Sequence, residues 1–316
     1  MLKSFCFALA LFISFPLHAA KDNAVTVSVK PVKVGAHSYY VQGLSGAASS
    51  ANQGYMSNAG FVVTAEGVVV FDSLGTPPLA EELIAKIRKI TPVPIKRVIV
   101  SHYHADHIYG LQAFKDIGAE IWAHEGAKEY FQNDEWKERL AQRREELFPW
   151  VDDKTRILQP DLWLSGDTDF IMGGVHFAIR HVGPAHTDED LAMFIKEDQL
   201  LFAGDLVFKG RVPFVGSANS KLWLAALDKL LAFNAKTMVP GHGAVSSNPK
   251  QDLTLTSDYL NYLRKTMGQA VENFVPFDEA YAKTSWKKYA KLPAFDLANR
   301  SNAYNTYLLM EKESLK

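Results

Sequence analysis

Ser101-His102-Tyr103-His104-Ala105-Asp106-His107 sets three imidazoles and a carboxylate within six positions, directly after the largely β-branched run Arg97-Val98-Ile99-Val100. Imidazole nitrogen and carboxylate oxygen are the donors that borderline divalent ions such as zinc accept, and a loop at a strand end lets such side chains converge. A lone histidine is usually a hydrogen-bonded or solvated side chain. Three of them with an aspartate in one short loop point to a metal site.

Working outward, three more candidates stand just past β-rich runs. His186 sits in Gly183-Pro184-Ala185-His186-Thr187, Asp205 in Phe202-Ala203-Gly204-Asp205, and His242 in Pro240-Gly241-His242-Gly243. Glycine and proline beside a histidine fix a turn that holds the ring beyond the sheet edge. Ligands at four strand ends match the way open α/β sheets place their sites. His37, His124, His176 and His181 fall inside or at the ends of expected elements and read as ordinary; His181 is the nearest competitor of His186 but has no turn residue before it.

Strand-like patterns cover residues 24–29, 37–42, 60–64 and 67–72. Leu79, Leu83, Ile84, Ile87 and Ile90 then recur at helical spacing until Thr91-Pro92. After the strand at 97–100 come a short helix at 110–117, a strand at 119–123 and a charged helical segment at 135–147 that reads as a solvated face. The second half repeats the order, with strands at 175–181, 191–195, 200–203 and 236–239, a helix at 222–233, and helical stretches at 252–274 and 299–312. Two strand-rich stretches, each followed by helices, favour an α/β fold of two sheets packed face to face with helices outside. Residues 43–52, all small or polar apart from Leu44, read as a surface loop or an active-site flap.

The chain has 316 residues, 34 Lys and Arg against 35 Asp and Glu, and a single cysteine, Cys6. Lys3, the apolar run at 5–15 and the small residues near position 20 read as a signal peptide over residues 1–19, which predicts a periplasmic or secreted protein. Cys6 leaves with that leader, so any metal site must use nitrogen and oxygen donors. The near-zero net charge advertises no nucleic-acid or anionic-lipid surface and suits a small-molecule substrate. Residues 20–247 read as the main domain and 248–316 as its C-terminal helical extension.

The His-x-His-x-Asp-His motif, followed at long intervals by a strand-end His, a strand-end Asp and Gly-His-Gly, resembles the metallo-β-lactamase superfamily. The match covers about residues 58–243. The resemblance implies an αββα sandwich with the site at one edge. It implies one zinc held by His102, His104 and His186, a second by Asp106, His107 and His242, and Asp205 bridging them. Asp72, in Val70-Phe71-Asp72-Ser73, corresponds to the family's early aspartate, which supports the metal loop by hydrogen bonding.

Two cations sharing a carboxylate lower the pKa of a bridging water from about 16 toward neutrality, and Asp106 could move a proton to the leaving group. The same donors accept iron or manganese. Substrate contacts are expected from residues 43–53, from Lys209 or Arg211, and from the C-terminal helices. Tyr39, Tyr40, Tyr55, Tyr103 and Tyr109 are further candidates for a pocket wall.

Asp205 stands where one large group of true β-lactamases carries a cysteine, so the ligand set resembles the ester- and thioester-cleaving glyoxalase II branch. The leader, residues 68–77 and 101–110, residues 205–214 and the ending Asn302-Ala303-Tyr304-Asn305-Thr306-Tyr307 are together similar to periplasmic hydrolases linked with sulfur oxidation and quinoprotein relay systems. Three readings stand: an exported dinuclear zinc hydrolase of an ester, thioester or related acyl compound; a β-lactam-hydrolysing enzyme; and a non-catalytic metal-binding or assembly protein of a periplasmic redox system.

Overall fold

The computed structural model describes residues 24–216 and 218–315; the expected leader and Cys6 lie outside them. The first half of the chain forms a seven-stranded sheet. Its strands are β1 (Val32–Lys33), β2 (Ser38–Val41), β3 (Ala59–Val63), β4 (Val68–Phe71), β5 (Ile95–Ile99), β6 (Glu120–His124) and β7 (Leu162–Leu164), in spatial order β1 to β7. β1 to β4 pair antiparallel, and β4 to β7 pair parallel through α1 (Pro77–Ile90), the short helices α2 (Ala105–Ile108) and α3 (Leu111–Asp116), and a 3-10 turn (Glu125–Phe131) followed by α4 (Glu135–Glu146).

The second sheet is ordered β12-β11-β10-β9-β8. It contains β8 (Thr168–Met172), β9 (Val175–His181), β10 (Leu191–Ile195), β11 (Leu200–Phe208) and, after α5 (Ser220–Ala232), β12 (Thr237–His242), with only β11 and β12 parallel. Helices α6 (Pro249–Glu272), α7 (Phe277–Lys283) and α8 (Phe295–Ser314) follow.

Side-chain alternation explains the layers. β4 is apolar at every position and fully buried, as a strand covered on both faces must be. Val69 and Phe71 turn inward and meet Phe177, Ile179, Met193 and Phe202 of the second sheet. Val68 and Val70 point the other way, onto Leu79, Leu83 and Ile87 of α1. Leu201 and Ala203 of β11 likewise face Trp223 and Leu227 of α5 and Leu263 of α6. The result is the αββα sandwich. Gly60 permits the close approach of the sheets, since a Cβ there would sit 2.0 Å from the Phe202 ring.

The C-terminal helices join the same core. Tyr259, Leu260 and Ala298 are buried in the layer that covers β11, and Asn302 of α8 donates to Pro213 O (2.7 Å) and accepts from Val215 N (2.8 Å), fixing the loop after β11. No helix among the described residues is long and apolar enough to cross a membrane.

The structure corrects several expected boundaries. Residues 24–29 form no strand: Val25, Val27 and Val29 do face the first core, but Gln53 Oε1 accepts from the N–H groups of Thr26 (3.1 Å) and Val27 (3.5 Å) in place of a neighbouring strand. β7, β8 and α7 had no recognisable pattern, because β7 and β8 lie at sheet edges with partly exposed residues and α7 has only seven residues. β11 continues to Phe208, so Asp205 lies inside a strand and not just beyond one.

Candidate metal centre

β5 delivers the chain to Ser101, and β4 delivers it to Asp72, whose φ of 64° is a left-handed conformation that costs a non-glycine residue energy. That conformation turns the Asp72 carboxylate under the histidine loop. Oδ1 accepts from Ser101 N (2.7 Å), while Oδ2 accepts from Ser101 Oγ (2.8 Å) and from His107 Nδ1 (2.8 Å). The expected supporting role of Asp72 is thus what the geometry shows. With its Nδ1–H held there, His107 turns Nε2 toward Asp205 and Asp106.

Asp205 reaches the site through an irregularity. The β11/β12 register shifts on both sides of Gly204, whose φ is 54°, and the bulge re-aims the next side chain. The carboxylate then lies between the two groups of histidines, with His242 Nε2 near both of its oxygens (3.2 Å to Oδ1 and 3.3 Å to Oδ2). Oδ2 lies 3.9 Å from His102 Nε2 and 3.6 Å from His186 Nε2, whereas Oδ1 lies 3.2 Å from both His107 Nε2 and His242 Nε2. On the first side, His104 Nδ1 lies 3.0 Å from His102 Nε2 and from His186 Nε2. On the second, Asp106 Oδ2 lies 3.5 Å from His107 Nε2 and 3.3 Å from His242 Nε2.

All seven residues singled out in the sequence therefore converge, as two quartets that share Asp205: His102, His104, His186 and Asp205; and Asp106, His107, Asp205 and His242. His242 is oriented by donating Nδ1–H to Met56 O (2.8 Å). His186 is held by the turn around it, where Asp190 accepts from Thr187 N (2.8 Å) and Thr187 Oγ1 (2.9 Å).

Electrostatics prepares these groups as donors. Burial, with His107 and His104 nearby, holds His102 well below the usual histidine value, and burial lowers His104 to about 3 and His186 to about 4. All three imidazoles are neutral at pH 7. In the second quartet the coupling runs the other way. Burial opposes ionisation of Asp205 and Asp106, but His242 and His107 outweigh it and keep both carboxyls well below their ordinary range. Against burial, the same carboxylates hold His107 well above and His242 above the usual histidine value, so a metal ion there displaces protons.

The quartets pass a direct test of fit to metal. His107 Nε2 and Asp205 Oδ1 are buried without a hydrogen-bond partner, which folded proteins rarely tolerate. Within each quartet the facing atoms lie 3.0 to 3.9 Å apart, close to the roughly 3.3 Å separation of ligands bound tetrahedrally at about 2.0–2.1 Å.

The sequence model of the metallo-beta-lactamase superfamily matches residues 52–242, a span that contains both quartets. The chain belongs to the metallo-beta-lactamase superfamily. Among curated relatives, the linear primary-alkylsulfatase of a Pseudomonas species is 25% identical over 233 residues, covering 63% of this chain; the match spans only 44% of the sulfatase's length. The hydroxyacylglutathione hydrolase GloC of Haemophilus influenzae is 28% identical over 176 residues, 53% of this chain and 77% of that protein. Among solved structures, a metallo-beta-lactamase from Pontibacter korlensis superposes with a TM-score of 0.57 at 22% identity, over 74% of this chain and 99% of the other, a likeness of fold.

In this superfamily member the quartets open into a cavity of about 720 Å³. Ala47 and Ala48 of the small-residue loop line it, as expected of that loop, and so do Phe214, Val215 and Gly216, where Asn302 of α8 holds Val215 N. Lys209 is unavailable: its Nζ is paired with Asp252 (2.6 Å) and donates to Val245 O (3.2 Å). Arg211 is buried between Phe208 and Phe214, donates to Gly46 O (3.3 Å), and leaves Nε and Nη2 without partners. Of the five tyrosines considered, only Tyr103 lines the cavity; Tyr40, Tyr55 and Tyr109 are core.

Sequence reasoning missed Tyr130, Trp136, Arg139 and Glu189 in the cavity wall. α4 was read as a solvated face, and Trp136 on so charged a helix was the available signal. The remaining histidines are ordinary, as expected. His124 and His181 stack at 3.7 Å, His37 Nδ1 donates to Val63 O, and His176 pairs with Glu197. His181 Nε2 donates to Asp188 O (2.9 Å) and takes no part in either quartet.

Proposed function

We propose that this protein is an exported dinuclear hydrolase, zinc-loaded by preference, that cleaves an ester, thioester or related acyl substrate. The observation that carries the reading is that Asp205 is shared by the two quartets, its carboxylate lying between His102 and His186 on one side and His107 and His242 on the other. His102, His104 and His186 would hold one ion and Asp106, His107 and His242 the other, with Asp205 common to both sets. Bound there, such ions supply a water acidic enough to attack near neutral pH and polarise the carbonyl or sulfuryl oxygen under attack.

The chain's own groups do the rest. Asp106 keeps 18% of its side-chain surface exposed against 5% for Asp205, so of the two carboxylates that line the cavity it is the one placed to relay the proton lost by the attacking water to the departing alcohol or thiol. The fixed rings of His107 and His242 preserve the geometry through the step. Export rests on the leader read in the sequence, and its resemblance to periplasmic relay hydrolases points the same way.

A substrate panel tests this reading: acyl thioesters, aryl esters, alkyl sulfates and nitrocefin offered to zinc-, manganese- and iron-loaded protein. Turnover of a thioester or ester is expected, while inactivity toward the whole panel in every metal form contradicts it. β-Lactam hydrolysis is the second reading, favoured by the fold match that covers 99% of the Pontibacter enzyme; nitrocefin turnover exceeding that of every ester would select it.

A further inference from the structure

The histidines of the two quartets are not secured alike. His107 Nδ1 is held by Asp72 (2.8 Å), His242 Nδ1 by Met56 O (2.8 Å) and His102 Nδ1 by Ser101 Oγ (2.9 Å). His186 has no such partner: its Nδ1 is buried and unbonded, and the ring is confined only by packing against Trp223 (5.1 Å between centroids) and Phe208 (5.8 Å). A ligating histidine normally gives its second nitrogen to a carboxylate or carbonyl. The placement of His186 therefore falls on the loop that carries it.

Three residues after His186, Glu189 reaches across to the other ligand loop. Its Oε1 accepts from the N–H of Tyr103 at 3.0 Å, and Tyr103 lies between His102 and His104 in the sequence. Tyr103 is buried and its hydroxyl donates to Leu158 O (3.0 Å), so the amide that Glu189 grips belongs to a fixed residue. Gly126 leaves room for the crossing, since a Cβ there would lie 3.2 Å from Glu189 Cβ. The neighbouring carboxylate, Asp190, is committed to Thr187 and stays within its own loop. Apart from the ligand contact His186 Nε2 to His104 Nδ1 (3.0 Å), the Glu189–Tyr103 bond is the side-chain hydrogen bond that ties the 182–190 loop to the 101–107 loop among the described residues, next to the backbone bond from Leu191 N to Ser101 O (2.9 Å).

We infer that Glu189 is a positioning residue for the His102, His104 and His186 metal position, setting the distance between the two loops that supply it. It rests on the dinuclear reading proposed above. Glu189 contacts none of the residues that orient His107 or His242, so its removal weakens one position and spares the other.

Stepwise titration of metal-free protein with Co2+, followed by visible absorption, tests this on wild type, Glu189→Ala, Glu189→Asp and Glu189→Gln, with His186→Ala marking which step belongs to the first position. Loss of a second-sphere partner costs about 10–100-fold in metal affinity. That loss is expected at the His186-dependent step alone in Glu189→Ala. Glu189→Asp, which keeps the charge but shortens the reach, should follow it, and Glu189→Gln, which keeps an acceptor oxygen, should restore wild-type affinity. An unchanged His186-dependent step in Glu189→Ala, or equal weakening of both steps, overturns the assignment. A wild type that binds one ion or none defeats the dinuclear reading itself, so the two failures are distinguishable. Should Glu189→Ala not fold, the contrast between the Asp and Gln variants decides.

Discussion

Asp72 Oδ2 accepts the Nδ1 proton of His107 at 2.8 Å, and that contact determines which ring nitrogen of His107 faces Asp205. The same carboxylate holds Ser101 by both its N–H and its hydroxyl, so one side chain organises the start and the end of the histidine loop. Asp72→Ala should therefore weaken the position served by His107 by about 10–100-fold and lower stability by roughly 1–3 kcal/mol through the unpaired Ser101 amide. Chelator competition and urea unfolding of the metal-free chain read the two effects separately.

Gly241 is the penultimate residue of β12, a strand that continues through His242 where the sequence suggested a turn, and it packs against Asp205. A Cβ at this position would stand 2.0 Å from Asp205 Oδ1, which neither atom can tolerate without moving. Gly241→Ala should push the Asp205 carboxylate off both quartets and reduce bound metal well below the wild-type content, while circular dichroism remains that of a folded chain. Full metal content in this variant would show that Asp205 is not needed where the structure places it.

Arg211 is buried beside the Asp205 and Asp106 carboxylates, whose charges favour its own, and it donates to Gly46 O (3.3 Å). Arg211→Leu should therefore destabilise the metal-free chain by roughly 1–3 kcal/mol, through the carboxylates left without a nearby cation and the Gly46 carbonyl left without its donor. Thermal unfolding reads this; a variant that melts at the wild-type temperature or above would show that the guanidinium contributes nothing to the fold.

His124 gives a pH signature away from the quartets. Burial, assisted by the stacked His181, lowers it to about 4, against about 6.5 for an unperturbed histidine. The unfolded chain then takes up a proton between pH 6.5 and 4 that the folded chain refuses, so stability is present above 6.5 and is lost as pH falls through that window. Protonation also removes Nδ1 as acceptor for Gly126 N. His124→Asn keeps an acceptor and removes the titration, so its melting temperature, measured on metal-free protein, should fall less between pH 7 and pH 5 than that of wild type.

Much of this site was legible because its chemistry is concentrated in sequence. Three imidazoles and a carboxylate in one loop, with turn residues beside His186 and His242, need no tertiary information to be suspected. Asp205 was harder to place, because the bulge that turns it inward is created by pairing between β11 and β12 and leaves only Gly204 as a trace. Glu189 and the α4 wall were illegible, since a charged residue on a polar segment looks the same whether it faces water or a cavity. Alternation gave the central strands of both sheets, which are covered on two faces, and failed at β7, β8 and residues 24–29, where edges or a side-chain acceptor replace the ladder.

Metal content per chain, by elemental analysis of wild type and Asp205→Ala purified side by side, tests the dinuclear centre most directly. About two ions per wild-type chain are predicted, with one or fewer in Asp205→Ala. Two ions retained by the variant, or a wild type that stays metal-free after zinc is supplied, would contradict it.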